Sequence, residues 1–228
     1  VKISAIITAG GCGKRLPGKV KKQFLLLDDK PILFHTIERF LTKKIISEII
    51  ISLPPDDYIH QSELIKDCYG KTKLKFVKGG KERQDSVYNA LLACDPDCDI
   101  VLIHDGVRPF FGSDLIEEMI KEVKIGRGVI PVSKVKFTIK ECEEGFVSRT
   151  IPRDKLYNVH TPQCFVYQDI LELNKQMMRD DILFTDDASL YEMMGLEVKT
   201  VRETDYNIKI TTQEDLLYAE FLLSKLKY

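Results

Sequence analysis

Seventeen residues from Thr8 to Phe24, TAGGCGKRLPGKVKKQF, hold four glycines, one arginine and four lysines. Glycines let backbone N–H groups wrap an anion because no Cβ blocks the approach, and cations nearby add charge, so this composition points to a phosphate loop. Its spacing rejects two familiar kinds. A Walker A loop needs glycine five residues before the Gly13-Lys14 pair and Ser or Thr after it; Thr8 and Arg15 stand in those places. A dinucleotide fingerprint begins at Gly11 and Gly13 but meets Leu16 where its third glycine belongs. What remains is a glycine turn followed at once by Arg15 and, seven residues later, by Lys22. Backbone donors and one lysine suffice to bind a nucleotide. Two cations flanking a phosphorus are useful where negative charge grows during reaction, which singles out Arg15 and Lys22; the other lysines keep the loop soluble.

The elements around this loop must bring it to other chemistry. ISAIIT, EIIISL, LKFVK, DIVLIHDG and GVIPV are apolar runs of strand length, separated by stretches with helical periodicity. PILFHTIERFL opens with Pro31 at a first helical position and puts Leu33, Ile37, Phe40 and Leu41 on one face. Further helices are expected over about 56–68, in QDSVYNALLA, in SDLIEEMIKEV with Ser113 as its cap, twice after TPQCF, and at the end. Thr212 and Asp215 have capping-box spacing for that last helix. Strands of this kind alternating with helices predict an α/β fold: a Rossmann-like, mostly parallel sheet with helices on both faces. Ligands on such sheets sit beyond the carboxyl ends of the strands. TAGGCGKR, GGKERQDS and HDGVRP all follow strands, so three loops converge on one edge.

Residues 134–153 break the rhythm: KVKFTIKECEEGFVSRTIPR alternates around Gly145 and reads as a charged β-hairpin projecting as an arm from a single domain, 1–228. A formal net charge of -1 leaves no global basic field, so neither nucleic acid nor membrane is an expected partner. No apolar run approaches the roughly 20 residues of a bilayer span, and the first residues read as a strand. Six cysteines lack a framework or zinc spacing and read as free thiols of a reducing cytoplasm.

Taken in order, AGGCGKR, KKQF, GGKERQDSV, HDGVRP, IPRDKLYNVHTPQ, TDDAS and NIKIT give the chain a resemblance over about 6–221. It resembles the sugar-phosphate cytidylyltransferases, most closely the branch acting on 2-C-methyl-D-erythritol 4-phosphate. The resemblance implies a nucleotidyltransferase fold in which CTP and a polyol phosphate react with Mg²⁺, releasing pyrophosphate and forming a CDP-alcohol for non-mevalonate isoprenoid synthesis. By motif position, Arg15 and Lys22 match the pair that stabilises the transition state, and Arg153 and Lys209 match those that position the attacking phosphate. Ala9, Gly10, Gly80 and Ser86 match the cytosine pocket, with Gly11, Gly13 and Arg83 in the same loops. Asp105 and Gly106 match the segment near ribose and metal, Asp105 as the metal-side carboxylate. Thr138 and Thr161 match acceptor-side hydroxyls. Family members are homodimers whose arms complete the neighbour's acceptor site, so Thr138 and Arg153 would serve the partner.

Arg108 reads as holding its loop, His104 as structural, and Arg83 has the alternative of pairing with a helix carboxylate. The sequence departs from the family pattern at Thr8 (commonly Ala), Lys21 (Pro), Lys81 (an acid) and Phe137 (Asp). Three other functions share some features: a ribitol-5-phosphate cytidylyltransferase, a CTP-binding regulator without turnover, and an NAD-dependent oxidoreductase. TDDASL and the IPRDKLY spacing favour the methylerythritol branch, while 49–57 lacks a convincing second-strand acid and the glycine loop lacks its third glycine, which disfavours an NAD site.

Overall fold

A computed structural model describes residues 1–11, 20–70, 73–180 and 182–226. β1 (Ile3–Thr8) shows how the sheet forms: Ile3, Ala5 and Ile7 enter one core and Ile6 the other, as period-two alternation requires. A 3-10 turn over Lys22–Phe24 follows, then the short pair β2 (Leu26–Leu27) and β3 (Lys30–Pro31), and α1 (Ile32–Leu41). Next come β4 (Glu48–Leu53), α2 (Tyr58–Tyr69), β5 (Leu74–Lys78), α3 (Arg83–Leu91), β6 (Ile100–Asp105) and α4 (Leu115–Glu122). The second half runs β7 (Arg127–Lys134), β8 (Ile139–Glu143), β9 (Phe146–Ile151), a 3-10 turn Arg153–Lys155, β10 (Tyr157–Val159) and β11 (Gln163–Val166). It closes with α5 (Tyr167–Asp180), α6 (Ala188–Met193), β12 (Glu197–Arg202) and α7 (Gln213–Lys225).

The main sheet has the order β10-β7-β11-β6-β1-β4-β5, with β12 also paired to β7. β1 runs parallel to β4 and β6, β4 to β5, and β12 to β7, while β10 and β11 are antiparallel insertions. The expected mostly parallel α/β sheet is therefore present. α1, α2 and α4 cover one face through residues such as Ile37, Phe40, Ile65 and Met119. α3, α5 and α6 cover the other through Val87, Leu91, Ile170 and Tyr191. The strand order reverses at β1: the chain first builds outward through β4 and β5, then returns to lay β6 on the opposite side. Such a reversal leaves a crevice beyond the strand ends. Register pairs Thr8 with Asp105 there.

Some local expectations shift. α4 starts at Leu115 with Asp114 in the cap position, one residue past where Ser113 would cap; the Ser113 carbonyl accepts a hydrogen bond from Lys43 instead. Pro31 precedes α1 rather than opening it, because its backbone pairs with Leu26. Thr212 and Asp215 do form a capping box on α7. β8 and β9 form a two-stranded sheet of their own, turning at Glu144 (φ 49°) and Gly145 (φ 88°). Among the described residues, no helix is long and apolar enough to cross a membrane.

Candidate active site

The loops after β1 and β5 meet over the end of β4. Ala9 N–H donates to the Ser52 carbonyl (2.9 Å) and Gly79 N–H to the Leu53 carbonyl (2.7 Å), so one strand end fixes both. Their backbones touch: a Cβ on Gly79 would lie 3.0 Å from Gly10 Cα, and one on Gly80 would lie 2.1 Å from Asp85 Cβ. Glycine is required there by close approach. Ser86 Oγ accepts from Gly80 N–H (3.0 Å) and donates to the Glu82 carbonyl (3.3 Å), locking that loop onto the start of α3. Gly106 N–H donates to the Thr8 carbonyl (2.9 Å), which brings the third loop alongside. The structure thus gathers Ala9, Gly10, Gly80, Ser86 and Gly106, with Gly11 exposed at the rim. Gly13 and Arg15 lie outside the described residues. Lys22 opens the turn that returns from them.

Asp105 ends β6 with its side chain 8% exposed and three cations around it. Its Oδ2 accepts from Arg108 Nε (3.0 Å) and faces Lys209 Nζ at 3.0 Å, while Oδ1 faces Arg83 Nε at 3.5 Å. Burial would raise its pKa, yet Lys209, Arg83 and Arg108 hold it well below the usual carboxylate range. Arg83 also reaches Asp187 (2.7 Å), the cap-position carboxylate of α6, so the alternative pairing coexists with a place in the site. Arg108 turns back to the Asn207 carbonyl (2.8 Å), which holds the loop as expected.

Lys209 is positioned by its neighbours. Ile210 is fully buried and its N–H donates to the Val107 carbonyl (3.0 Å), while Asn207 Nδ2 donates to the Thr161 carbonyl (2.8 Å). Lys209 keeps 35% of its side chain exposed, so the ammonium, with three donors, is open to a ligand while Asp105 orients it. Thr161 Oγ1 accepts from Asp105 N–H (3.1 Å) and lies 2.9 Å from His104 Nδ1. His104 Nε2 meets the Arg108 carbonyl (2.9 Å) and must carry the proton, so Nδ1 accepts from Thr161. Burial pushes the His104 pKa down to about 3, keeping the ring neutral.

A cavity of about 410 Å³ opens here, lined among others by Arg83, Asp105, Thr161, Gln163, Asp186 and Lys209. Arg153 and Thr138 lie elsewhere. Both are exposed at the base of the β8–β9 hairpin, where Arg153 bonds the Lys136 carbonyl and Lys136 pairs with Asp205. Sequence reasoning missed Gln23, Asn207 and Asp187. Each sat inside a quoted motif (KKQF, NIKIT, TDDAS); the two amides carry no type that announces chemistry, Asp187 stands beside a second Asp in its motif, and what marks all three is burial: 2%, 0% and 0% exposed.

Known proteins resemble this chain in sequence and in fold. The profile of a family described as 2-C-methyl-D-erythritol 4-phosphate cytidylyltransferase matches residues 3–225. A relative of that name from Clostridium botulinum is 44% identical over 230 residues, 99% of each chain. Among solved structures, the 4-diphosphocytidyl-2C-methyl-D-erythritol synthase of Anaerococcus prevotii superposes with a TM-score of 0.84 at 34% identity, covering 98% of this chain and 96% of its own. The 2-C-methyl-D-erythritol 4-phosphate cytidylyltransferase of Thermus thermophilus gives 0.79 at 27% identity, covering 99% and 100%. A match running from β1 into the last turn of α7, over these converging loops, leaves one assignment: the chain belongs to the 2-C-methyl-D-erythritol 4-phosphate cytidylyltransferase family.

Proposed function

We propose that this site transfers the cytidylyl group of CTP to 2-C-methyl-D-erythritol 4-phosphate, giving CDP-methylerythritol and pyrophosphate within isoprenoid biosynthesis. The observation that carries the reading is the Lys209 ammonium held against buried Asp105 at the crevice between β1 and β6, in a chain of this family. An oxygen of the acceptor's phosphate attacks the α-phosphorus of CTP; the new O–P bond forms as the α–β anhydride breaks, and pyrophosphate leaves. The nucleophile is already charged, so no general base is needed. The difficulty is electrostatic: two anions about 4 Å apart repel by roughly 4 kcal/mol per charge pair near a protein surface. Lys22 and Arg15 offset the charge that grows on the phosphorus, and Lys209 and Arg153 orient the acceptor phosphate. Ala9, Gly10, Gly80 and Ser86 form the base pocket.

The donors suit a Mg²⁺ that travels with the nucleotide. Asp105 offers one carboxylate, already held by Arg108 and Lys209, and among the described residues no group of three or more His, Cys, Asp or Glu could hold an ion alone. Bound with the triphosphate, such an ion neutralises phosphate oxygens and the departing pyrophosphate. The chain acts as one nucleotidyltransferase domain and as a homodimer, with 134–153 reaching across so that Thr138 and Arg153 complete the partner's acceptor site. Phe137 and Phe146, 83% and 80% exposed, support this, as does the marginal stability of an isolated two-stranded hairpin. Free thiols at Cys68, Cys94, Cys98, Cys142 and Cys164 fit a reducing cytoplasm.

Pyrophosphate release measured with CTP and a panel of polyol phosphates tests the assignment. The methylerythritol phosphate should give the highest kcat/KM. A preference for ribitol 5-phosphate would overturn the acceptor, and silence with every acceptor would leave a CTP-binding regulator.

A further inference from the structure

We propose that Gln23 is a positioning residue for Lys22, fixing the reactive ammonium's backbone against the nucleotide loops; this rests on the role given to Lys22 above. A lysine acts through a long flexible stem, so the placement of its ammonium depends on where its Cα is held. Lys22 opens a turn of three residues, Lys22–Phe24, and the residue inside it, Gln23, is 2% exposed. Gln23 Nε2 donates to the Ala9 carbonyl (2.6 Å) and to the Gly11 carbonyl (3.1 Å). Two carbonyl partners can be met only by the NH₂ end, which settles the amide's orientation. Ala9 and Gly11 flank Gly10, whose backbone rests on Gly79 and Ser86. One side chain thus ties the turn that carries Lys22 to the place where both nucleotide loops meet. From the other side, Lys21 pairs with Asp56 beyond the end of β4.

The amide is not there for packing alone. Its Oε1 is buried and has no hydrogen-bond partner among the described residues, and an unpaired buried acceptor is unfavourable. Leu or Met would fill similar space without that oxygen. What the amide adds is direction. Removing it should misplace Lys22, and the cost of leaving the Ala9 and Gly11 carbonyls without this donor is partly offset by the loss of that oxygen.

The test compares Gln23→Leu, Lys22→Ala and the double variant by steady-state pyrophosphate release and thermal unfolding. Gln23→Leu should lower kcat about tenfold, within the range for a misplaced catalytic group, with KM for CTP within about twofold. Its melting temperature should fall by a few degrees at most, because two hydrogen bonds to carbonyls are lost and one unpaired oxygen is removed. In the Lys22→Ala background the same change should lower kcat by less than about twofold, because the residue through which it acts is gone. Equal fold losses in both backgrounds, or undiminished kcat in Gln23→Leu, would overturn the proposal. Gln23→Met gives the same readings if the Leu variant is insoluble. Lys22→Ala at full speed would sink the reading of Lys22 and Gln23 together, whereas a slow Lys22→Ala with additive Gln23 loss sinks the Gln23 proposal alone.

Discussion

Asp105, which orients Lys209, and Arg153, proposed to orient the acceptor phosphate beside it, sit in opposite kinds of surroundings. Asp105 lies at the end of a fully buried strand, with Arg83, Arg108 and Lys209 about it and Thr161 on its backbone. Arg153 lies in an exposed 3-10 turn at the foot of a hairpin whose strands pair only with each other among the described elements. In the first region, Asp105, Arg83, Arg108 and Lys209 all have partners, and the loops after β1 and β5 each bond the end of β4. The second presents Phe137 and Phe146 to solvent and buries no core of its own. In the proposed dimer, Lys209 and the charges around Asp105 would be preorganised in one subunit, and a second copy would add Arg153 and Thr138 to the same acceptor site.

Mixing subunits breaks that comparison most directly. Arg153→Ala and Lys209→Ala homodimers should each lose roughly 10²–10³ in turnover, the usual effect of removing one stabilising donor. Co-expressed in equal amounts, they should regain about a quarter of the parent activity, because half the dimers are mixed and each has one intact site. Arms that serve their own subunit would restore nothing.

The buried side is probed by Asp105→Asn. Removing one member of a buried charge cluster costs about 3–5 kcal/mol when its partners are stranded. Here Arg83 keeps Asp187, Arg108 keeps the Asn207 carbonyl and Lys209 is partly exposed, so the low end, about 3 kcal/mol, is expected in urea unfolding. Arg153→Ala should leave the same curve nearly unchanged.

The smallest effect is on pH. His104 titrates near 6.5 in the unfolded chain and at about 3 when folded, so between those values the unfolded state binds the extra proton. Stability must then fall as pH drops, by about 2 kcal/mol from pH 7 to pH 5 for this group. His160, lowered by burial and Arg108, adds in the same direction. Urea unfolding of the parent and of His104→Asn at the two pH values checks this: the variant should lose the His104 share of the slope.

Much of the molecule was legible in its residues. Apolar runs such as DIVLIHDG and their intervening helices announced a parallel sheet, because buried strands cannot alternate with polar residues. Asp105 was legible in a loop that follows a buried strand onto that sheet's edge, and Lys209 through its motif's resemblance to the family. What bound them was not. The bonds from Asn207 to Thr161 and from Gln23 to Ala9 and Gly11 span 46, 14 and 12 positions, and an amide's partners are set by tertiary proximity. Ser113 erred for a related reason: cap chemistry at 113–114 suits either residue, and packing of Leu115 and Ile116 decides where α4 begins. The arm was legible as a hairpin because Gly145 marks its turn, but no residue in it states which subunit it serves.

The central claim is that Lys209, aimed by Asp105, holds the attacking phosphate and not the nucleotide. Pyrophosphate release and CTP binding measured on Lys209→Ala test it in one preparation. The claim predicts a fall of about 10²–10³ in kcat/KM for the methylerythritol phosphate, with CTP affinity in the absence of acceptor within about twofold of the parent. Undiminished turnover, or lost CTP affinity that accounts for the whole defect, would contradict it.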